Sequence, residues 1–301
     1  MPEFLGLPCV ELKHEALSLL VTTTVGPRIL SLRIHGGENL FAEVPEFTLD
    51  CPGAGKCHLW GGHRLWIAPE RPELTYLPDD RPVMIEGDSP CWKVTQPIDE
   101  RTGLQKSIEI SFFPSQESPW GNEGLNVYHR LRNRGSAPVT CAPWAITQLK
   151  TGGFAILPHS DKGCEAGGSW KKRGFEVWPY TEPSCPHIVR QDDFTFVHAR
   201  LKSGALKLGY ANYRNWLGYF RNGTLFTKKA LFDPGAKYYD NGSSSECYCN
   251  EHFVELETLG PIETIAPGDF AAHHELWNVR DDIRLEPTEA SVTPHHLDDL
   301  M

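Results

Sequence analysis

Polar and apolar residues alternate in short runs along this chain, and the runs are rich in β-branched and aromatic side chains. Segments of this kind are LSLLVTTTV, RILSLRI, KSIEISFF, LNVYHRL, PVTCAPWAI, FTFVHARL, TLFTKKALF, FVELETL and AAHHELWNV. A period of two is the signature of a strand with one face on a core. The 27 glycines and 24 prolines punctuate these runs at short intervals, which leaves little room for long helices. No long window carries an i, i+3, i+4, i+7 apolar stripe, and no repeat of solenoid or propeller length is present. The pattern predicts an all-β protein, a large antiparallel sandwich formed by one domain over residues 1–281. The acidic, turn-rich stretch 282–301 reads as a loosely held tail, with His295 and His296 solvated.

Composition narrows the class. Of the 301 residues, 40% are hydrophobic and 23% charged, the balance of a soluble globular protein, and no apolar run reaches the length of a membrane span. The first residues lack the basic and apolar regions of a secretory signal, so a cytoplasmic location is expected. A formal charge of −10 without a basic patch argues against nucleic acid as a partner. The nine cysteines are scattered and lack CxxC spacing, which predicts reduced thiols and no cysteine-based metal site.

Two stretches could carry chemistry. In FVELETLGP (253–261), alternation puts Phe253, Glu255, Glu257 and Leu259 on one face and Val254, Leu256 and Thr258 on the other. Glu255 and Glu257 would then have Cα atoms about 6.6 Å apart, close enough for each charge to raise the other's pKa in a shielded site. The plain alternative is an exposed strand face whose glutamates pair with neighbouring cations. In HLWGGHRLWIAPE (58–70), His58, Trp60, His63, Arg64, Trp66 and Glu70 surround Gly61 and Gly62. Indole rings stack on the C–H face of a sugar, Arg and His bond its hydroxyls, and the glycines would admit a ligand close to the backbone. The alternative is a tryptophan-rich core edge with a buried Arg64 held by Glu70. Alternation pairs Arg64 with Trp66 and His63 with Leu65, so His63 shares a cleft with Arg64 only if the glycines form a bulge. Tyr76, Asp79 and Asp80 lie in a loop, the aromatics from Tyr210 to Tyr219 read as packing under a hairpin with an Asn222–Gly223 turn, and Lys171, Lys172 and Arg173 read as a solvated turn. There is no GxSxG elbow, phosphate-binding GxxxxGK[ST] loop or HExxH pair.

The order of GPRILSLRIHGGENLF, WGGHRLWIAPE, NRGSAPVTCAPWAI, FVELETLGP and APGDFAAHHELWNV resembles the galactose mutarotase-like superfamily, the aldose 1-epimerase relatives, over about residues 15 to 280. The resemblance implies an antiparallel β-supersandwich with a carbohydrate cleft on a concave face. It implies an isomerase that interconverts sugar anomers without cofactor or metal. The family's LET strand carries the catalytic base, which matches Glu257, with Glu255 bonding the sugar or modulating Glu257. Arg64 corresponds to the sugar-contacting arginine, and Trp66, Trp60, Glu70 and Tyr76 are candidate substrate-binding residues.

One departure from the family pattern matters. The family's acid is a histidine on a strand that here reads APWAITQLKTGG, offering Trp144, Thr147 and Gln148 instead. Ring opening needs a base at the anomeric hydroxyl and an acid at the ring oxygen. Either another histidine serves, with His63 ahead of His58 and His159, or the protein is a sugar-binding or sensing module without catalysis. A third alternative is an oligosaccharide lyase or hydrolase using Glu255 and Glu257 as a pair.

Overall fold

In the computed structural model, the residues described are 1–51, 53, 55–116, 123–159, 175–182 and 184–293. Lys171, Lys172, Arg173, His295 and His296 lie outside them.

Two antiparallel sheets make up nearly all of the structure. The larger, of twelve strands, runs β1 (Glu3–Phe4), β2 (Leu7–His14), β3 (Leu17–Thr22), β4 (Arg28–Ile34), β6 (Gly55–Ala68), β11 (Val139–Lys150), β20 (Phe253–Leu259), β19 (Ser245–Asn250), β16 (Ala205–Tyr210) and β13 (Glu176–Val177). Two more strands attach to it, β5 (Glu43–Cys51) on β6 and β21 (Glu263–Ile265) on β11. The ten-stranded sheet runs β14 (Ile188–Arg190), β15 (Phe194–His198), β12 (Phe154–Pro158), β17 (Trp216–Arg221), β18 (Thr224–Lys229), β22 (Phe270–Arg280), β10 (Gly124–Asn133), β9 (Leu104–Phe113), β8 (Cys91–Thr95) and β7 (Met84–Asp88). Each alternating run found in the sequence overlaps one of these strands. The Asn222–Gly223 turn joins β17 to β18 with both residues at positive φ, 49° and 81°, as a two-residue hairpin requires.

The sheets pack face to face over one large apolar cluster. Leu19, Leu32, Leu65, Leu149, Val254 and Leu256 come from the twelve-stranded sheet, and Ile108, Val127, Leu217, Phe226 and Trp277 from the other. In the middle of the larger sheet the outward face is buried as well. Trp144 and Leu259 pack there with Ala68 and Tyr238, and Phe253 packs with Ala42 and Leu59. Strands covered on both faces hold a site rigidly, since each side chain is confined by neighbours above and below the sheet.

Two expectations need correction. The segment after residue 281 is not loose through its described part: Leu285 and Val292 are buried among Phe154, Phe194 and Trp216, because apolar residues spaced through the acidic run pack on the outward face of β12, β15 and β17. The thiols are also not all free. Cys51 and Cys57 lie diagonally across the β5–β6 pair, where β5 ends and β6 begins, with Cα atoms 6.1 Å apart, and are joined by a disulfide.

Candidate functional site

The site begins with a disturbance in β6. Trp60, Gly61 and Gly62 have φ values of 58°, 94° and 75°, three left-handed residues in succession. A Cβ at Gly61 would lie 1.8 Å from the carbonyl oxygen of Ala42, and one at Gly62 would lie 2.1 Å from that of Ile29. The glycines therefore serve close strand-to-strand approach, not a ligand. The kink also shifts the alternation: Leu59 and Arg64, five positions apart, both line one cleft on the outward face of the larger sheet. Trp60, expected to bind substrate, lies outside that cleft and stacks on His58, their ring centroids 5.2 Å apart.

The cleft encloses about 190 Å³, below the roughly 300–1,000 Å³ of pockets for drug-sized ligands and on the scale of one small polar molecule. Its walls are largely aromatic: Phe47, Trp66, Tyr76, Trp144, Tyr180 and Tyr248. The polar groups are Arg64, Glu70, Lys207, Glu255 and Glu257. β20 supplies Glu255 and Glu257 as alternation requires, while Val254 and Leu256 point into the core between the sheets.

Glu257 is buried. The Trp144 indole N–H donates to its Oε2 at 2.8 Å and the Lys207 ammonium lies 3.1 Å from the same oxygen, while Oε1 accepts no hydrogen bond. Lys207 also lies 2.7 Å from the Glu246 carboxylate and over the rings of Trp144 and Trp178, at 4.7 and 4.8 Å. Burial opposes its charge, but Glu257 and Glu246 prevail and raise its pKa. Glu246, directly across from Glu257 in the β19–β20 register, is fully buried. Burial and the charges of Glu257 and Asp240, against Lys207, push its carboxyl well above the usual range.

Glu255 has a different setting. Its Oε1 accepts from Gln148 Nε2 at 2.9 Å and from Arg64 Nη2 at 3.4 Å. Burial and then the Glu257 charge outweigh Arg64 and Lys207, and raise its pKa to about 7. The Arg64 guanidinium lies over the Trp66 ring, 4.0 Å from its centroid. Burial, with Arg28 alongside it, lowers the guanidinium to about 10. Tyr76 packs edge-on against Trp66 and donates its hydroxyl proton to Glu70.

Comparison with protein families and with curated proteins finds no match to the sequence. Solved structures do match. Slr1438 from Synechocystis sp. PCC 6803 aligns with a TM-score of 0.57 at 10% identity, over 91% of this chain and 96% of that one. A galactose mutarotase-like protein from Lactobacillus casei ATCC 334 aligns with a TM-score of 0.57 at 10% identity, over 91% of this chain and all of that one. This is the galactose mutarotase-like fold. It also recurs within a larger neighbour, a TPR-domain containing protein from Parabacteroides distasonis ATCC 8503, which aligns with a TM-score of 0.61 at 15% identity over 93% of this chain and 48% of that one.

On the galactose mutarotase-like scaffold of this chain, among the described residues no histidine lines the cleft. His58 is exposed and bonded to the Pro45 carbonyl, and His159 is held by Asp192 and Thr195 on the other sheet. His63, expected to take part in catalysis, is fully buried on the opposite face of β6 from Arg64, because the strand regains strict alternation after Gly62. It belongs to a polar seam between the sheets. With buried imidazoles neutral, one proton order satisfies every contact. The Lys228 ammonium donates to Thr147 Oγ1 (3.2 Å), and the Thr147 hydroxyl to His63 Nδ1 (2.9 Å). His63 Nε2 then donates to His129 Nε2 (2.7 Å), and His129 Nδ1 to the His273 carbonyl (3.0 Å). Lys228 also lies 2.6 Å from Glu275, whose carboxylate it holds well below the usual range despite burial. His63, His129 and Glu275 converge as metal ligands might, but Lys228 already supplies the positive charge there.

The cleft thus gathers Arg64, Trp66, Glu70, Tyr76, Glu255 and Glu257, and leaves out His63 and Trp60. Sequence reasoning missed Lys207 and Glu246. The one available signal for Lys207 was a lone cation between Leu206 and Leu208 in GALKLGY; its partners come from strands 39 and 50 residues further along the chain.

Proposed function

We propose that this chain is a carbohydrate-active protein of the aldose 1-epimerase type, with Glu257 as the base. The observation that carries this is Glu257 itself: a carboxylate buried at the floor of an aromatic cleft, fixed through one oxygen by Trp144 and Lys207. Accepting from two donors keeps Oε2 in the acceptor form that a base needs, and orients the carboxylate before a ligand arrives. Trp66 and Tyr76 supply ring faces and edges for a pyranose, and Arg64 supplies donors for its hydroxyls. The mutarotase-like neighbour of known structure supports the same ligand class.

Anomer exchange measured by NMR on a panel of free and phosphorylated aldoses tests this. The wild type is expected to accelerate exchange of at least one aldose, and Glu257→Gln to abolish the acceleration. A Glu257→Gln protein with full activity would remove Glu257 as the base. A second reading, a sugar-binding module without catalysis, is favoured by the lack of a histidine among the described cleft residues. It predicts saturable binding with no acceleration.

A further inference from the structure

We propose that Glu255 is the proton donor to the ring oxygen, a task for which the cleft offers no histidine. This inference rests on the epimerase reading above. It is reached by asking which cleft group can give up a proton near neutral pH. Arg64 stays charged. Lys207 is clamped between Glu246 and Glu257, which hold its proton. Tyr76 donates to Glu70, which occupies Glu70 as an acceptor, and burial raises Tyr76, Tyr180 and Tyr248 above the ordinary phenol. Glu255 remains. It shares the outward face of β20 with Glu257, two residues away, and both bonds it receives, from Gln148 and Arg64, end on Oε1. A proton on Oε2 is compatible with both. Burial and the Glu257 charge make the protonated form abundant at neutral pH. Two carboxyls on one strand, one fixed by donors as an acceptor and one able to hold a proton, divide base and acid between them.

The step balances without another reactant. Glu257 takes the proton of the anomeric hydroxyl as the C1–O5 bond breaks; the bonding electrons go to O5, which takes the proton of Glu255. The open-chain aldehyde turns about C1–C2. In the return step Glu255 takes the proton back from O5, O5 attacks the other face of C1, and Glu257 returns its proton to O1. Each carboxyl ends as it began.

The experiment compares the pH dependence of kcat and KM for anomer exchange in the wild type, Glu255→Gln and Glu255→Asp. Glutamine keeps the acceptor for Gln148 and Arg64, so folding and KM are expected to be nearly unchanged. Its kcat is expected to fall by about 10²-fold or more, in line with the loss of a general acid. The wild-type rate is expected to decline above about pH 7 as Glu255 loses its proton, and Glu255→Gln to lack that decline. Glu255→Asp, which keeps the acid at a shorter reach, is expected to recover part of the rate and the declining limb. Glu255→Gln with a kcat within threefold of wild type, or with the declining limb intact, would overturn the assignment while leaving the epimerase reading in place. A wild type that accelerates no aldose refutes that reading in the parent protein, and this inference with it.

Discussion

Glu255 is held in the fold at a cost that depends on pH, and removing its charge should make the protein more stable in alkali. Its folded pKa is about 7, raised above the ordinary 4.5 by burial and by Glu257. A group whose folded pKa is raised contributes stability that is complete below its unfolded pKa and is lost as pH rises through the folded one. Here the window runs from 4.5 to about 7. At 1.36 kcal/mol per unit, the shift amounts to about 3 kcal/mol in full, most of which falls between pH 5 and pH 8. Glu255→Gln mimics the protonated carboxyl and keeps the Oε1 acceptor, so it escapes that loss. For a domain of this size, a loss of about 2–3 kcal/mol corresponds to about 4 °C in Tm. Calorimetric melting of both proteins at pH 5 and pH 8 is expected to show the variant gaining about 4 °C on the wild type across that interval. Glu246, raised in the same direction, is present in both proteins and drops out of the difference. A gain of zero, or a variant that loses ground at pH 8, would mean that Arg64 and Lys207 fully compensate the Glu255 carboxylate, and would refute the linkage argument.

Three further outcomes are expected. Lys207→Met leaves Glu246 and Glu257 buried without their shared cation and is expected to cost about 3–5 kcal/mol by denaturant titration at pH 7; part of this should return at pH 5, where a carboxyl can take a proton. Gly62→Ala combines a left-handed φ with a Cβ 2.1 Å from the Ile29 carbonyl oxygen, and is expected to give no folded protein by circular dichroism or soluble yield, whereas Gly242→Ala, at φ 90° but with open space, should fold with a smaller loss. NMR of labelled imidazoles should show His129 and His273 neutral at pH 5.5, titrating near pH 4 and pH 3, because burial lowers both; the neutral folded form favours the native state above pH 6.5, and that contribution fades as pH falls toward these values.

Much of this architecture is written locally. Strands such as Arg28–Ile34 and Phe253–Leu259 coincide with alternating runs in the sequence because successive side chains of a strand face opposite ways, into different surroundings. The same rule separated Arg64 and Trp66 from His63, and Glu255 and Glu257 from Leu256. What could not be read depends on distant partners. Lys207 gains its meaning from Glu246 and Glu257, which reach it only through the sheet order β16–β19–β20. The Trp60–Gly62 kink was ambiguous because paired glycines serve a turn, a ligand or a crowded strand crossing equally well, and the decision lies with the Ala42 and Ile29 carbonyls. The Cys51–Cys57 bond follows from the hairpin register, not from cysteine spacing alone.

The seam from Lys228 to His129 has a meaning beyond the fate of one histidine. Leucine and valine packed on leucine and valine would tolerate one sheet gliding over the other, since any greasy contact resembles the next. Lys228, His129 and Glu275 stand on the ten-stranded sheet; Thr147, His63 and the Leu256 carbonyl that Lys228 also reaches at 3.0 Å stand on the other. A slip of even one residue would break the bonds of Lys228 to Thr147 and the Leu256 carbonyl and that of His63 to His129, and leave buried polar groups without partners. The seam therefore works as a locating pin. Leu256 sits between Glu255 and Glu257, so the pin fixes the floor of the cleft from behind.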